Sequence, residues 1–141
     1  METTAHGHLR LLGVFSVVYL VASLIHFVHN AVYLEQYPGL PASWTPIGVF
    51  LAWCGLTLVG AAGWLLLLRR RLFIGLSIVL VYAMLGMDSL GHYVVASVSA
   101  HTWMMNSTIV LEVTAASLVF LESGRLMVRR IAHLRFARES T

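Results

Sequence analysis

Residues 47–68 and 72–98 read IGVFLAWCGLTLVGAAGWLLLL and LFIGLSIVLVYAMLGMDSLGHYVVASV, and the three residues between them are all arginine. An α-helix needs about 20 apolar residues to cross ~30 Å of hydrocarbon at ~1.5 Å per residue. Both runs reach that length. They therefore predict a helical hairpin inside a membrane, with Arg69, Arg70 and Arg71 in its turn.

Two further apolar runs flank this hairpin, at about residues 9–31 and 103–124. The first is too long for the apolar region of a signal peptide and continues without a convincing cleavage site, which predicts a retained helix. The strands of a membrane β-barrel would be about half as long and would alternate strictly. The sequence therefore predicts an all-α fold, an integral membrane four-helix bundle that forms a single domain over residues 1–141.

The composition excludes several classes of protein. Of the 141 residues, 59% are apolar and 11% are charged, whereas a soluble domain carries about 45–50% apolar and about 25% charged residues. This excludes an ordinary soluble domain, a disordered chain and a disulfide scaffold, and the single cysteine, Cys54, has no internal partner. No stretch outside the tail is both basic and polar, so we expect no nucleic-acid partner.

The arginines predict the orientation in the membrane. Arginine occurs in the 69–71 link and in the tail, residues 125–141, but not in the connections 32–46 and 99–102. The positive-inside rule therefore predicts that both termini are cytoplasmic and that the two arginine-free connections face outward. We expect the plasma (inner) membrane, with the lipid bilayer as partner. A homo-oligomer or a larger membrane complex stays open.

The connection at 32–46 and the tail each have a distinctive composition. The connection contains all three prolines together with Tyr33, Tyr37 and Trp44, which predicts an ordered outer loop at the membrane interface. The tail, residues 125–141, mixes arginine with apolar residues. It predicts a basic helical extension on anionic lipid, or a topology signal alone.

Several ionisable residues lie within the predicted spans, where they are costly and usually face a bundle interior or a cavity. They are His26, His29, Asp88, His92 and Glu112. His26 and His29 are one turn apart, and Asp88 and His92 are four residues apart, so each pair shares a helix face. Counted inward at ~1.5 Å per residue, all five groups fall in the outer half of the bundle, and His101 lies at its mouth.

This set predicts a transition-metal site, because helical bundles hold metals with inward histidines and carboxylates from facing helices. Zinc, copper and iron suit such ligands. The predicted metal ligands are His26, His29, Asp88, His92, Glu112 and His101. Asp88 and Glu112 are also the predicted catalytic carboxylates. The chain would then be a small membrane metalloenzyme or a metal-handling protein, although the spacings match no named metal motif.

Three other functions fit the same residues. A haem b could be held by His26 and His92, which are predicted at matched depth. A metal-free pocket could perform acid/base chemistry on a lipid-soluble ligand or transport it, because a buried carboxyl beside a histidine can exchange protons. Finally, the polar residues could only pair helices in a non-catalytic accessory subunit.

Overall fold

The computed structural model describes residues 2–139, with side chains for residues 9–135. The elements are α1 (Glu2–Val32), α2 (Pro46–Leu68), α3 (Leu72–Met87), α4 (His92–Val95) and α5 (Trp103–Glu139), with 3₁₀ turns at Leu34–Gln36, Asp88–Gly91 and Val98–Ala100. Within these residues, four segments are long and apolar enough to cross a membrane, namely Leu9–Val32, Pro46–Leu68, Leu72–Val95 and Trp103–Arg135. The prediction of an all-α chain with four such helices is confirmed.

The hairpin of α2 and α3 forms where the sequence predicts it. At the start of α2, the backbone N–H of Gly48 donates to Thr45 Oγ1 at 3.1 Å, and Pro46 occupies the first turn. Both features stabilise a helix N-terminus. In the arginine link, Arg70 adopts the left-handed conformation with φ 61°. The chain therefore reverses within three residues.

Two glycines of α2 allow α3 to approach closely. A Cβ atom at Gly60 would lie 3.0 Å from the ring of Tyr82, and one at Gly63 would lie 2.8 Å from Val79 Cγ2. Small residues permit such contact between helix backbones in lipid. Their neighbours Ala61 and Ala62, which belong to the same small-residue cluster in the sequence, are exposed.

The third span differs from the continuous helix expected over residues 72–98. The α-helix ends at Met87, a 3₁₀ turn follows at Asp88–Gly91, and the short α4 ends at Val95. Aspartate, serine and glycine are poor residues for a helix interior, which explains the interruption. A 3₁₀ turn winds at about 3.0 residues per turn instead of about 3.6, which rotates successive side chains by about 20° more per residue.

The two connections 33–45 and 96–102 lie at the same end of the bundle, which we call the loop end. Gly39 adopts φ 76°, and a Cβ atom there would lie 3.2 Å from both the Cβ and the carbonyl oxygen of Val95. The connection 33–45 therefore packs on α4. Its ordered contact with the bundle brings Tyr37 into the protein interior, where only 4% of its surface is exposed.

The last helix is much longer than a membrane is thick. Its 37 residues correspond to about 55 Å at 1.5 Å per residue, compared with about 30 Å of hydrocarbon. It continues through the predicted boundary near residue 124 and into the basic segment as one helix. In that segment Val128 and Leu134 are exposed.

Candidate functional site

One face of α1 carries the polar side chains of the bundle interior. Five polar residues that follow one another at steps of three or four along the helix are buried, namely Ser16, Tyr19, Ser23, His26 and Asn30. Tyr33, the next residue in this pattern, is 43% exposed because the helix has ended at Val32. The helical spacing therefore located the buried face as far as the end of the helix.

Glu112 of α5 is the most deeply buried carboxylate among the described side chains, with 0% of its surface exposed. Its Oε2 accepts a hydrogen bond from Ser89 Oγ at 2.5 Å and lies 3.7 Å from His26 Nε2. Its Oε1 has no hydrogen-bond partner among the described residues. A buried carboxylate with so few donors is costly as an isolated charge. The Glu112 carboxyl is therefore either protonated or paired with a protonated His26.

The hydrogen bonds of Thr108 define the protonated nitrogen of neutral His26. The Thr108 hydroxyl donates to the carbonyl oxygen of Met105 at 3.0 Å, and His26 Nδ1 lies 3.3 Å from the same Oγ1. Since the hydroxyl proton is engaged, the His26 Nδ1–H donates to Thr108. Nε2, which faces Glu112, is then the basic nitrogen.

Tyr37 lies among four histidine rings. Its ring centroid is 5.1 Å from that of His92, 5.8 Å from His29, 6.4 Å from His101 and 6.5 Å from His26. Its hydroxyl is 2.8 Å from His29 Nδ1. The sequence indicated only an interfacial aromatic here, because the fold of a proline-rich loop leaves no periodic signal.

The side chain of Thr108 also interacts with the Tyr37 hydroxyl. Burial raises the pKa of Tyr37 to about 12, and the interaction with Thr108 opposes this rise. The phenol is therefore neutral at physiological pH. A neutral phenol can accept one proton and donate another.

His92 and His101 complete the loop end of the site. Asn30 Nδ2 donates to His92 Nε2 at 3.3 Å, and His101 Nδ1–H donates to the backbone carbonyl of Ser97 at 2.9 Å. The second nitrogen of each imidazole is buried without a hydrogen-bond partner among the described residues. Such atoms mark a place where a ligand or ordered water can bind.

Asp88 is placed differently from the other predicted site residues. Its side chain is exposed, while the neighbouring Ser89 donates to Glu112. Ser89 continues the buried face of α3, on which Val79, Tyr82 and Gly86 follow one another at helical spacing, whereas Asp88 lies one turn after the exposed Met84. Glu112 therefore contacts Ser89 and not Asp88, and Asp88 lines the cavity beside His26 and His92.

The structure brings four of the six predicted ligands into one region. His26, His92 and His101 are in successive ring contact, with centroids 5.5 and 6.1 Å apart, and Glu112 lies beside His26. His29 lies at the edge, against Tyr37. Among the described residues, no group of three or more His, Cys, Asp or Glu side chains has an arrangement that could hold a metal ion.

A cavity of about 280 Å³ opens beside this region. Its polar lining is formed by His26, Asn30, Asp88, Ser89 and His92, and its apolar lining by Phe27, Leu40, Trp44, Val49, Leu85 and Val95. His26 and Ser89 both line the cavity and both contact Glu112. These two residues therefore link the buried carboxyl with any molecule in the cavity.

Comparison with protein-family models, curated proteins and solved structures finds no match to this chain.

Proposed function

We propose that this chain is an integral membrane protein that uses the Glu112–His26 pair for acid/base chemistry on a small, lipid-soluble ligand. One observation carries the proposal. The buried carboxyl of Glu112 is linked through Ser89 and His26 to a cavity that both of these residues line. Proton transfer by a positioned side chain requires this kind of contact between acid, base and ligand.

The Glu112–His26 pair has two forms of equal total charge. In one form the proton is on the carboxyl and His26 is neutral, and in the other the carboxylate faces an imidazolium. Since His26 Nε2 is 3.7 Å from Oε2, a small side-chain movement brings the two atoms into hydrogen-bonding distance. The pair can therefore give a proton to a ligand or take one from it while its own site stays buried.

The cavity lining defines the class of ligand. Leu40, Val49 and Leu85 offer apolar contacts, while Asn30 and His92 offer hydrogen bonds. Ligand sites of this type bind an apolar body and orient it through a few polar groups. The ligand is therefore a compact molecule with one hydrogen-bonding end, small enough for about 280 Å³.

The distribution of arginine supports an orientation with both termini in the cytoplasm. Arg69, Arg70 and Arg71 link α2 to α3, and the extension of α5 carries further arginines, whereas the loop end carries none. The positive-inside rule then places the cavity and the Glu112–His26 pair in the outer half of the plasma membrane.

The first experiment asks whether the cavity holds a molecule and whether Glu112 acts on it. The protein is purified in lipid nanodiscs, and its bound small molecules are extracted and compared by mass spectrometry with those of Gly91→Leu. Gly91 lines the cavity, and a Cβ atom there meets nothing within 4 Å, so leucine fills the cavity without a clash. We expect Gly91→Leu to lose one molecule that the wild type retains. The wild type, but not Glu112→Gln, should exchange a carbon-bound hydrogen of that molecule in D₂O.

Gly55→Leu is the matched control, because Gly55 is exposed on α2 and also has nothing within 4 Å of a Cβ atom. This variant should keep the bound molecule. Equal binding by all three proteins would overturn the cavity assignment. Equal exchange in Glu112→Gln would overturn the role of Glu112, and no exchange in the wild type would leave a binding protein or accessory subunit without acid/base chemistry.

The transition-metal expectation stays a prediction, and the same sample tests it. Elemental analysis that finds about one equivalent of zinc, copper or iron per chain, lost in His26→Ala, would replace the acid/base proposal with a metal site. An absorbance scan tests haem b.

A further inference from the structure

A series of neighbouring polar side chains leads from Glu112 to the loop end. Glu112 Oε2 faces His26 Nε2 at 3.7 Å, and His26 Nδ1 is 3.3 Å from Thr108 Oγ1. Thr108 interacts with the hydroxyl of Tyr37, which is 2.8 Å from His29 Nδ1. His26, Thr108 and Tyr37 are buried, whereas His29 is only half-buried.

We propose that His26, Thr108, Tyr37 and His29 form a proton relay between the carboxyl of Glu112 and the loop end of the bundle. The inference extends the proposed function, since it rests on the exchangeable proton of Glu112 and specifies where that proton goes. The relay needs no bound ligand. It can therefore be tested separately from the cavity.

The hydrogen positions favour transfer from Glu112 towards His29. His26 Nδ1–H already donates to Thr108, and the Tyr37 hydroxyl can donate to His29 Nδ1. Only the Thr108 hydroxyl points elsewhere, because it donates to the carbonyl of Met105. Rotation about its Cβ–Oγ1 bond turns this proton towards Tyr37 and aligns every donor in the series.

The transfer is balanced at each atom. Glu112 gives its proton to His26 Nε2, and His26 releases the proton on Nδ1 to Thr108. Thr108 passes its own proton to Tyr37, whose hydroxyl proton moves to His29 Nδ1. The products are a carboxylate at Glu112 and an imidazolium at His29, and His26 has changed tautomer. No electron moves and no covalent bond between heavy atoms changes.

The phenol of Tyr37 acts within this series without becoming an isolated anion. A pKa raised to about 12 by burial makes a separate tyrosinate costly. Proton gain and loss at Tyr37 must therefore be coupled. This requires hydrogen-bond partners on both sides of the hydroxyl. His29 is one of them, and Thr108 becomes the other when its hydroxyl turns towards Tyr37.

A second route for the proton exists and serves as the competing hypothesis. Ser89 donates to Glu112 and lines the cavity, so protons could reach the carboxyl through water in the cavity. The two routes diverge at Glu112. Substitutions on one route leave the other intact.

The test measures how fast Glu112 exchanges its proton. The wild type in lipid nanodiscs is transferred from H₂O to D₂O at a pH where the protonated carboxyl band is present, and the shift of this infrared band is followed over time. Glu112→Gln assigns the band. We expect Tyr37→Phe and Thr108→Val to slow the shift about tenfold or more, with the amount of protonated carboxyl unchanged.

Conservative variants separate a relay from a structural role. Thr108→Ser keeps the hydroxyl and should exchange as fast as the wild type, while Thr108→Val keeps the shape without the hydroxyl. If Thr108→Ser is as slow as Thr108→Val, packing controls the rate and the relay is wrong. If Ser89→Ala slows exchange and Tyr37→Phe does not, protons use the cavity, which also overturns the relay. The two proposals can fail separately. If no ligand is found in the cavity but Tyr37→Phe still exchanges slowly, only the proposed ligand chemistry is rejected.

Discussion

The hydroxyl of Tyr37 lies 2.8 Å from His29 Nδ1 and fixes the connection 33–45 to the end of α1. The connection is otherwise rich in proline and partly exposed. This bond places a phenol from an irregular segment among imidazoles from the helical spans. The effects of this bond can be measured on the unfolding free energy of the protein and on the ionisation of Tyr37.

Tyr37→Phe should lower the unfolding free energy by about 1 kcal/mol, the usual net value of an intramolecular hydrogen bond. The ring and its packing are retained, so the change reports the hydroxyl. The measurement is denaturant unfolding in detergent micelles. Tyr33→Phe is the control, because Tyr33 is 43% exposed and should change stability by less than about 0.5 kcal/mol. Equal effects of both substitutions would contradict a stabilising hydrogen bond from the Tyr37 hydroxyl.

Tyr37 should ionise only in strongly alkaline solution. Its pKa is raised from the ordinary value of 10.0 to about 12, so folding stabilises the protonated phenol. This contribution is fully present below pH 10 and is lost as the pH rises through about 12. The difference in tyrosinate absorbance between the wild type and Tyr37→Phe measures it. A difference spectrum that titrates near pH 10 would show that Tyr37 is not buried.

Ser89→Ala should destabilise the protein more than Asp88→Asn does. Ser89 donates to a fully buried carboxyl, whose oxygen would lose its donor, at a cost of about 1–3 kcal/mol. Asp88 is exposed, so Asp88→Asn should change the unfolding free energy by less than about 0.5 kcal/mol. The reverse order would contradict the hydrogen bond between Ser89 and Glu112.

Gly63→Ala should destabilise the hairpin of α2 and α3. A Cβ atom at Gly63 would lie 2.8 Å from Val79 Cγ2 and 3.1 Å from its backbone nitrogen, so the helices must separate, at about 1–3 kcal/mol. Gly55→Ala introduces the same methyl group into open space on the same helix and should be neutral or slightly stabilising. The unfolding temperatures of the two variants are compared in the same detergent.

Cysteine labelling tests the proposed orientation. In a Cys54→Ser background, Ser43→Cys in the connection 33–45 should react with a membrane-impermeant maleimide in intact cells. His133→Cys, in the extension of α5, should react only after the membrane is opened. Both positions are exposed, so access to the reagent depends on the side of the membrane. The opposite labelling pattern would invert the topology.

The sequence by itself determined the four spans and the buried face of α1. Apolar runs of sufficient length have few other structures available, because each backbone polar group in hydrocarbon must be paired within a helix. The positions of His26 and Glu112 in the interior followed from helical spacing and from the cost of exposing ionisable groups to lipid. These are local properties of the chain, and they can be inferred without the tertiary structure.

Only the tertiary structure decided which polar groups touch. Ser89, and not Asp88, contacts the carboxyl of Glu112, because the face of α3 that packs inward carries Val79, Tyr82 and Gly86, and Ser89 continues that face. Tyr37 entered the site from a connection whose path depends on Gly39 and on contact with α4. Contacts of this kind arise from packing between segments that are far apart in the chain. The spacing of residues within one segment does not determine them.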